Sequence, residues 1–404
     1  MTITPRTLGQ QASFWVAAAV VTHTLWTSAA PAVTYPLYAA EWHLTPTVTT
    51  AIFAVYPVVV VAALLLFGNV SDRIGRRATI LCGLAASLLG VLLFALAPSV
   101  GWVFVGRAFM GMGVGLSAGP ASAAMLEFSS PGQSDRASAM NTAAQSSGLA
   151  LATLVGGALV EYAPFPTRLN FWVLFVVLLA IFAAVWFLPR HAQGASSVRW
   201  RPGSVSIPKG MGKIFLTSAL SVTAAYALGA IMLSLGAQIA KDLIGSSNAL
   251  VSGAAIALFA ASSGTVAIIA KRAAARTNIL RGGIVSVAGQ ALLMLSAAHH
   301  SLPLFLAAAV TTGASYSLQF LGGLTLISAN APASHRAGTL SAIYLIAYLF
   351  MGSIALVLGV LATAHGLETA VDIGSPAIAL LGIAALLLAV WTGSPRTAVA
   401  TCAS

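Results

Sequence analysis

Twelve apolar stretches, each long enough to cross a bilayer and separated by short polar breaks, constrain this chain more than any other feature. A hydrocarbon core of about 30 Å takes ~20 residues of helix, and every backbone N–H and C=O inside it needs an internal partner. The predicted spans are 13–39, 46–68, 78–97, 101–126, 136–160, 169–188, 214–240, 247–270, 280–298, 302–329, 337–364 and 374–393. Barrel strands would be ~10 residues with alternating polarity, a pattern absent here. Composition agrees: 59% of residues are hydrophobic and 7% charged, where a soluble domain carries about a quarter charged. The expected class is an all-α polytopic membrane protein with twelve transmembrane helices in two six-helix bundles.

The net charge of +11 would suggest an anionic partner in a soluble protein, but here its distribution reads as topology. With the N-terminus placed inside, alternate loops and tails hold sixteen of the nineteen Lys and Arg residues; Arg168 and Lys241 lie outside and Arg107 within a span. The positive-inside rule then puts both termini in the cytoplasm of a bacterial-type inner (plasma) membrane. Nucleic acid is not an expected partner. Cys82 sits in an apolar run and Cys402 in the tail, so no disulfide framework is implied. Ala30-Pro31-Ala32 resembles a signal-peptide cleavage site, but the apolar run is too long, and an uncleaved first helix is expected.

The longest polar break, 190–213, follows the sixth span and carries five basic residues. It divides the chain into an N-terminal six-helix bundle (1–189), a cytoplasmic linker (190–213) and a C-terminal six-helix bundle (214–404). At an offset of 200 residues the loop 68–77 matches 268–277, with Asp72 against Arg272, Arg76 against Arg276 and Gly113 against Gly313. Parallel six-span repeats place a binding site at midplane between the halves.

The loop Gly68-Asn69-Val70-Ser71-Asp72-Arg73-Ile74-Gly75-Arg76-Arg77 holds one acid and three arginines within six positions. Cytoplasmic loops collect Arg for topological reasons, but an Asp beside arginines between two glycines also suits a conformational switch. Gly68, Asp72, Arg73, Gly75, Arg76 and Arg77 together resemble the signature between the second and third helices of the major facilitator superfamily. Arg107-Ala108-Phe109-Met110-Gly111 is similar to a fourth-helix motif of proton-coupled members. The fifth-helix motif of drug antiporters is degraded, with Gly148, Gly156 and Gly157 kept but Ala152-Thr153 in place of Gly-Pro. The resemblance implies an alternating-access secondary transporter, most similar to bacterial drug:proton antiporters, in which the 68–77 loop holds the cytoplasmic side shut.

No carboxylate is expected at midplane, since Glu41, Glu161, Asp242, Glu368 and Asp372 fall at outer loops and Asp72, Glu127 and Asp135 at inner ones. A charge at bilayer depth is a functional hypothesis by default, and Arg107 is the one such residue. Three roles stay open for it: binding an anionic group, coupling, or holding helix four by donating to carbonyls. His23 is the histidine within a span, either a packing residue or a proton carrier in place of a carboxylate. Trp26, Asn141, Gln145, Tyr226, Tyr316, Gln319, Tyr344 and Tyr348 are candidates to line a mostly apolar pocket, against the plainer role of packing between helices. Gly111, Gly115 and Gly119 form a small-residue face for close helix approach.

The expected function is proton-coupled export of small amphipathic compounds or drugs by a monomer in the lipid bilayer. No cofactor or metal is expected, with a proton gradient as energy source. The alternatives are uptake or facilitated diffusion of a metabolite, and a non-transporting membrane receptor. No nucleotide loop or nucleophile–base pair in the spans suggests an enzyme.

Overall fold

The computed structural model describes residues 7–68, 70–130, 133–189, 210–332 and 335–391, although the side chains of Asp72, Ser134, Asp135 and Ala337 lie outside that description. The linker at 190–209 and Asn69 of the loop likewise fall outside the described residues. Twelve long helices follow in order: α1 Gln10–Ala29, α2 Pro46–Phe67, α3 Arg76–Leu96, α4 Val100–Glu127, α5 Ser134–Tyr162, α6 Leu169–Trp186, α7 Gly212–Ser234, α8 Ala249–Ala270, α9 Ala275–Ala298, α10 Leu302–Asn330, α11 Arg336–His365 and α12 Leu367–Trp391. Eleven of these, α2 to α12, are long and apolar enough to span a bilayer by themselves.

The first span departs from the expected single helix over 13–39. It stops at Ala29 and resumes as Tyr35–Glu41, with turns between. Pro31 is the cause, because it has no N–H to give the carbonyl of Thr27. Ala32 then bonds to Ala29 and Thr34 to Pro31, three residues back rather than four. Three further boundaries move: α7 stops at Ser234 rather than 240, followed by the short helical stretches Gly236–Gln238 and Ile239–Leu243. Helix α9 begins at Ala275 and α12 at Leu367, several residues before the expected 280 and 374, so Arg276 and Asp372 are helical. The ends of these helices project beyond their apolar stretches, which the charges alone delimit in the sequence.

Helices α1 to α6 pack on one another, as do α7 to α12, and the two groups meet along α2–α11 and α5–α8. Nearly every residue of α7 is buried. Small residues set the tightest approaches. Gly83, Ser87 and Gly90 on α3 meet α4 at Gly106 and Gly113, and Gly282, Ser286 and Gly289 recur on α9 at a spacing of 199 residues. Gly282 and Gly289 face Gln319 and Thr312 of α10 as their counterparts face α4.

That register corrects the offset of 200 in the loop region. Arg77 at the start of α3 donates to the carbonyl of Leu188 after α6 at 3.2 Å, and Arg276 at the start of α9 donates to Val390 near the end of α12 at 3.0 Å. Arg276 is therefore the counterpart of Arg77, and Ala275 that of Arg76. The end of the bundle carrying Gly68–Arg77 is called the motif end below, and the opposite one the distal end.

At the distal end, hydrogen bonds join the halves. The N–H of Thr47 on α2 donates to Oγ1 of Thr363 on α11 at 2.9 Å, and Oγ1 of Thr47 donates to the carbonyl of Gly359 at 3.2 Å. The backbone of α8 comes against α5 at two glycines: Gly253 abuts the carbonyl of Thr153, and a Cβ on Gly157 would lie 2.8 Å from the carbonyl of Ala249.

Candidate functional site

The interior site begins with the close approach of α4 to α2. A Cβ on Gly111 would lie 2.8 Å from the carbonyl of Tyr56, and one on Gly115 would lie 2.6 Å from Cβ of Ala63. Gly119 faces open space, so the stripe predicted over three glycines works as a contact over two. One turn before Gly111, the same face of α4 carries Arg107 over the aromatic residues of α2. Its guanidinium carbon lies 4.5 Å from the ring centroid of Tyr56 and 5.8 Å from that of Phe53.

Arg107 is fully buried, and its Nη1 donates to the carbonyl of Ser28 at 2.8 Å. That acceptor exists because of the break after α1. In a continuous helix the carbonyl of Ser28 would take the N–H of Ala32, which here bonds to Ala29 instead. The carbonyl of Ala30, freed in the same way, accepts from Nδ2 of Asn170 on α6 at 3.0 Å. Pro31 thus creates the acceptors that fix Arg107 and Asn170. Among the described residues no carboxylate pairs with Arg107, and its Nε is buried without a partner. The hydroxyl of Tyr35, also buried without a partner, lies within electrostatic reach of this guanidinium.

Four tyrosines singled out in the sequence converge. Tyr226 on α7 stands edge-on to Tyr348 on α11 at 4.7 Å between ring centroids, and lies 6.4 Å from Tyr316 on α10. Tyr344 is 6.5 Å from Tyr348, while Phe320 stacks on Tyr316 at 5.9 Å and reaches Tyr344 at 6.5 Å. Phe259 of α8 closes one side, edge-on to Tyr316 at 5.6 Å. Tyr56 lies within electrostatic reach of both Tyr316 and Tyr348. Tyr56 and Arg107 of the first half therefore lie near the aromatic cluster of the second, where α2 packs on α11. Tyr316, Tyr344, Tyr348 and Phe320 are only half-buried.

The remaining candidates are placed elsewhere. Gln319 is buried between α9, α10 and α12: its side chain contacts the faces of Gly282 and Gly382, and its Nε2 donates to Oγ of Ser315 at 3.2 Å. It is not part of the tyrosine cluster. Asn141 and Gln145 are half-buried on α5, with Oδ1 of Asn141 unpartnered. Beside them a cleft of about 290 Å³ separates α1 from α5, lined by Trp15, Thr22, Met140 and Ser147 among others. Trp26 is half-buried, with its indole N–H unpartnered.

His23 is buried on α1, and its Nδ1 contacts the carbonyl of Val20. A carbonyl only accepts, so Nδ1 carries the proton; Nε2 has no partner and is left with a lone pair. The ring has the one open position that taking up a second proton needs.

At the motif end, Gly75 takes φ +84 between the short helix Ser71–Ile74 and α3, a backbone conformation that favours glycine. Gly68 has ordinary helical φ. Arg76 forms an ion pair with Glu127 at the end of α4, and Arg77 lies 5.6 Å over the ring of Trp186. These residues line a cleft of about 370 Å³ between α3, α4 and α6, with Leu81 and Phe128 in its walls. At the position matching Arg76 in the second half, Ala275 has no charge with which to form such a pair.

Tyr56, Phe53, Phe259, Phe320, Ser28 and Tyr35 were not singled out from the sequence. Tyr56 had a signal in being a tyrosine deep in a long apolar run, immediately before Pro57. Ser28 had none, since its role is that of a carbonyl exposed by a helix break.

Two six-helix groups with Arg107 as the one fully buried cation among the described residues, set near a group of aromatic side chains, are the architecture of a polytopic membrane transporter, and the family match bears this out. The chain belongs to the Major Facilitator Superfamily, whose family model matches residues 15–356. Over 163 residues it is 30% identical to the Major facilitator superfamily multidrug transporter mfsC of Aspergillus fumigatus, covering 40% of this chain and 31% of that one. Over 141 residues it is 33% identical to the puromycin resistance protein pur8 of Streptomyces alboniger, covering 34% and 27% respectively. The chain thus matches less than a third of the length of either relative. Its fold is similar to that of the nucleoside transporter NupG, with a TM-score of 0.74 at 10% identity over 94% of this chain and 100% of that one.

Proposed function

We propose that this chain exports small amphipathic compounds by alternating access, driven by inward protons, as a monomer in a bacterial-type plasma membrane with both termini in the cytoplasm. The observation that carries the reading is the proximity of Arg107 and Tyr56 to the cluster of Tyr316, Tyr348 and Tyr226 at the junction of the two halves, where α2 packs on α11. A site shared between two bodies is one whose access changes when they rock against each other. The direction is supported by the two relatives, named for multidrug transport and puromycin resistance. In this reading Gly68–Arg77 is the switch at the cytoplasmic face, and 1–189 and 214–404 are the moving bodies joined by the linker at 190–213. His23 is the proton carrier, with its unpartnered Nε2 as the site of uptake.

A second reading, facilitated diffusion or uptake without proton antiport, is favoured by one observation. Glu41, Glu161, Asp242, Glu368 and Asp372 are all exposed near helix ends or in loops, and none stands beside the aromatic cluster. Proteoliposomes with an imposed pH gradient separate the two. Movement of a fluorescent amphiphile against its own gradient, collapsed by a protonophore, supports antiport. Flux indifferent to pH and voltage overturns it.

A further inference from the structure

We infer that Arg107 and Tyr35 form an anion-accepting subsite beside the aromatic cluster, so that the transported compound is an aromatic molecule bearing an acidic group rather than an organic cation. The donors are built in. Arg107 is fully buried and held at Nη1 by the carbonyl of Ser28, its Nε is buried without a partner, and the buried hydroxyl of Tyr35 is unpartnered within electrostatic reach of the same guanidinium. A buried guanidinium without a carboxylate is a costly arrangement that a bound anion would neutralise, and a charged hydrogen bond to it is among the stronger ones available.

The apolar portion of such a compound has a place at hand. Tyr56 stacks under the guanidinium and lies within electrostatic reach of Tyr316 and Tyr348, whose half-buried faces can take an aromatic ring. A cation in this cluster would gain from the ring faces. It would also meet the positive charge of Arg107 with no described carboxylate to offset it, and like charges at short range in a low dielectric repel strongly. Charge complementarity therefore selects the acid.

The inference rests on the transport reading for the place of the site, not for the direction of flux. Its test is equilibrium binding to the purified full chain, with no gradient, of three matched probes: 2-naphthoate, 2-naphthamide and 2-naphthylmethylammonium. The acid is expected to bind about tenfold tighter than the amide, as for a hydrogen bond to a charged group, and the ammonium more weakly than either. Arg107→Gln should abolish the gap between acid and amide while sparing the amide, and Tyr35→Phe should narrow it. Tightest binding by the ammonium, binding by none of the three, or an Arg107→Gln variant that weakens acid and amide alike would each overturn the inference. The order of the three probes on the unmodified chain decides the matter even if Arg107→Gln does not fold. Acid preference with entry of the acid rather than export keeps this inference and removes the proposed direction; export with ammonium preference does the reverse.

Discussion

The carboxylate of Glu161 at the end of α5 accepts the backbone N–H of Ala249 at 2.7 Å, so the first half caps the first turn of α8 in the second. A negative group at a helix N-terminus is stabilising by about 0.3–1 kcal/mol when exposed. This bond exists only while the distal ends are together. Glu161→Gln should therefore shift the population towards distal-open states by a factor of about 2–5. Distances between spin labels on the distal ends of α5 and α8, in a background without Cys82 and Cys402, would report it. An unchanged distance distribution would show that the cap carries no weight in the cycle.

Gly253 on α8 abuts the carbonyl of Thr153 on α5, and Gly359 on α11 abuts Oγ1 of Thr50 on α2. A side chain at either forces the halves apart, and overpacking of this kind costs about 1–3 kcal/mol. Gly253→Val and Gly359→Val should each cut transport severely at normal expression. Gly119→Ala is the control, because nothing lies within 4 Å of the added methyl. It should transport normally, and loss of activity there would mean that α4 packs differently.

The Arg76–Glu127 pair is partly exposed, at 31% and 25% of the two side chains, and a pair of that kind contributes about 1 kcal/mol or less. Glu127→Gln should lower the melting temperature by about 4 °C at most. Its effect is expected on the rate of the cycle if the proposed switch role of the Gly68–Arg77 loop holds. A large drop in melting temperature with unchanged turnover would make the pair a structural clamp.

Asp72→Asn should slow or bias the conformational cycle and leave substrate affinity nearly intact. Binding in detergent and turnover in liposomes separate the two effects. Loss of binding with an unaltered balance of states would end the switch reading of the loop.

His23→Gln keeps a hydrogen-bonding group of similar length but cannot carry a proton at neutral pH. Proton-driven accumulation should be lost while exchange without a gradient continues. Accumulation at the unmodified level would remove His23 from the coupling pathway and favour the uncoupled reading.

The membrane class and the positions of eleven spans were legible because length and apolarity are properties of consecutive residues. That Ala275 stands for Arg76 was not: an offset of 200 set Arg276 there, and only the packing of α9 fixed the register. The four tyrosines of the second half were legible as a set, since an aromatic hydroxyl inside a span is conspicuous against Ala, Leu and Val, though Tyr35 and Tyr56 of the first half were passed over. What they touch was not. Gln319 and Tyr316 are three residues apart on α10, yet Gln319 turns into the packing of α9 and α12 while Tyr316 joins the cluster. Choosing between those faces requires knowing which neighbour each side of α10 meets.

By itself the sequence determined that the chain crosses the membrane as helices in two related halves, because a bilayer admits no other solution for runs of this length and composition. The tertiary structure decided where the interior chemistry lies. Pro31 breaks α1 and frees the carbonyl of Ser28; Gly111 and Gly115 draw α4 onto α2; together they set Arg107 over Tyr56. Those residues are separated by tens of positions along the chain, and only the packing of helices converts their spacing into contact.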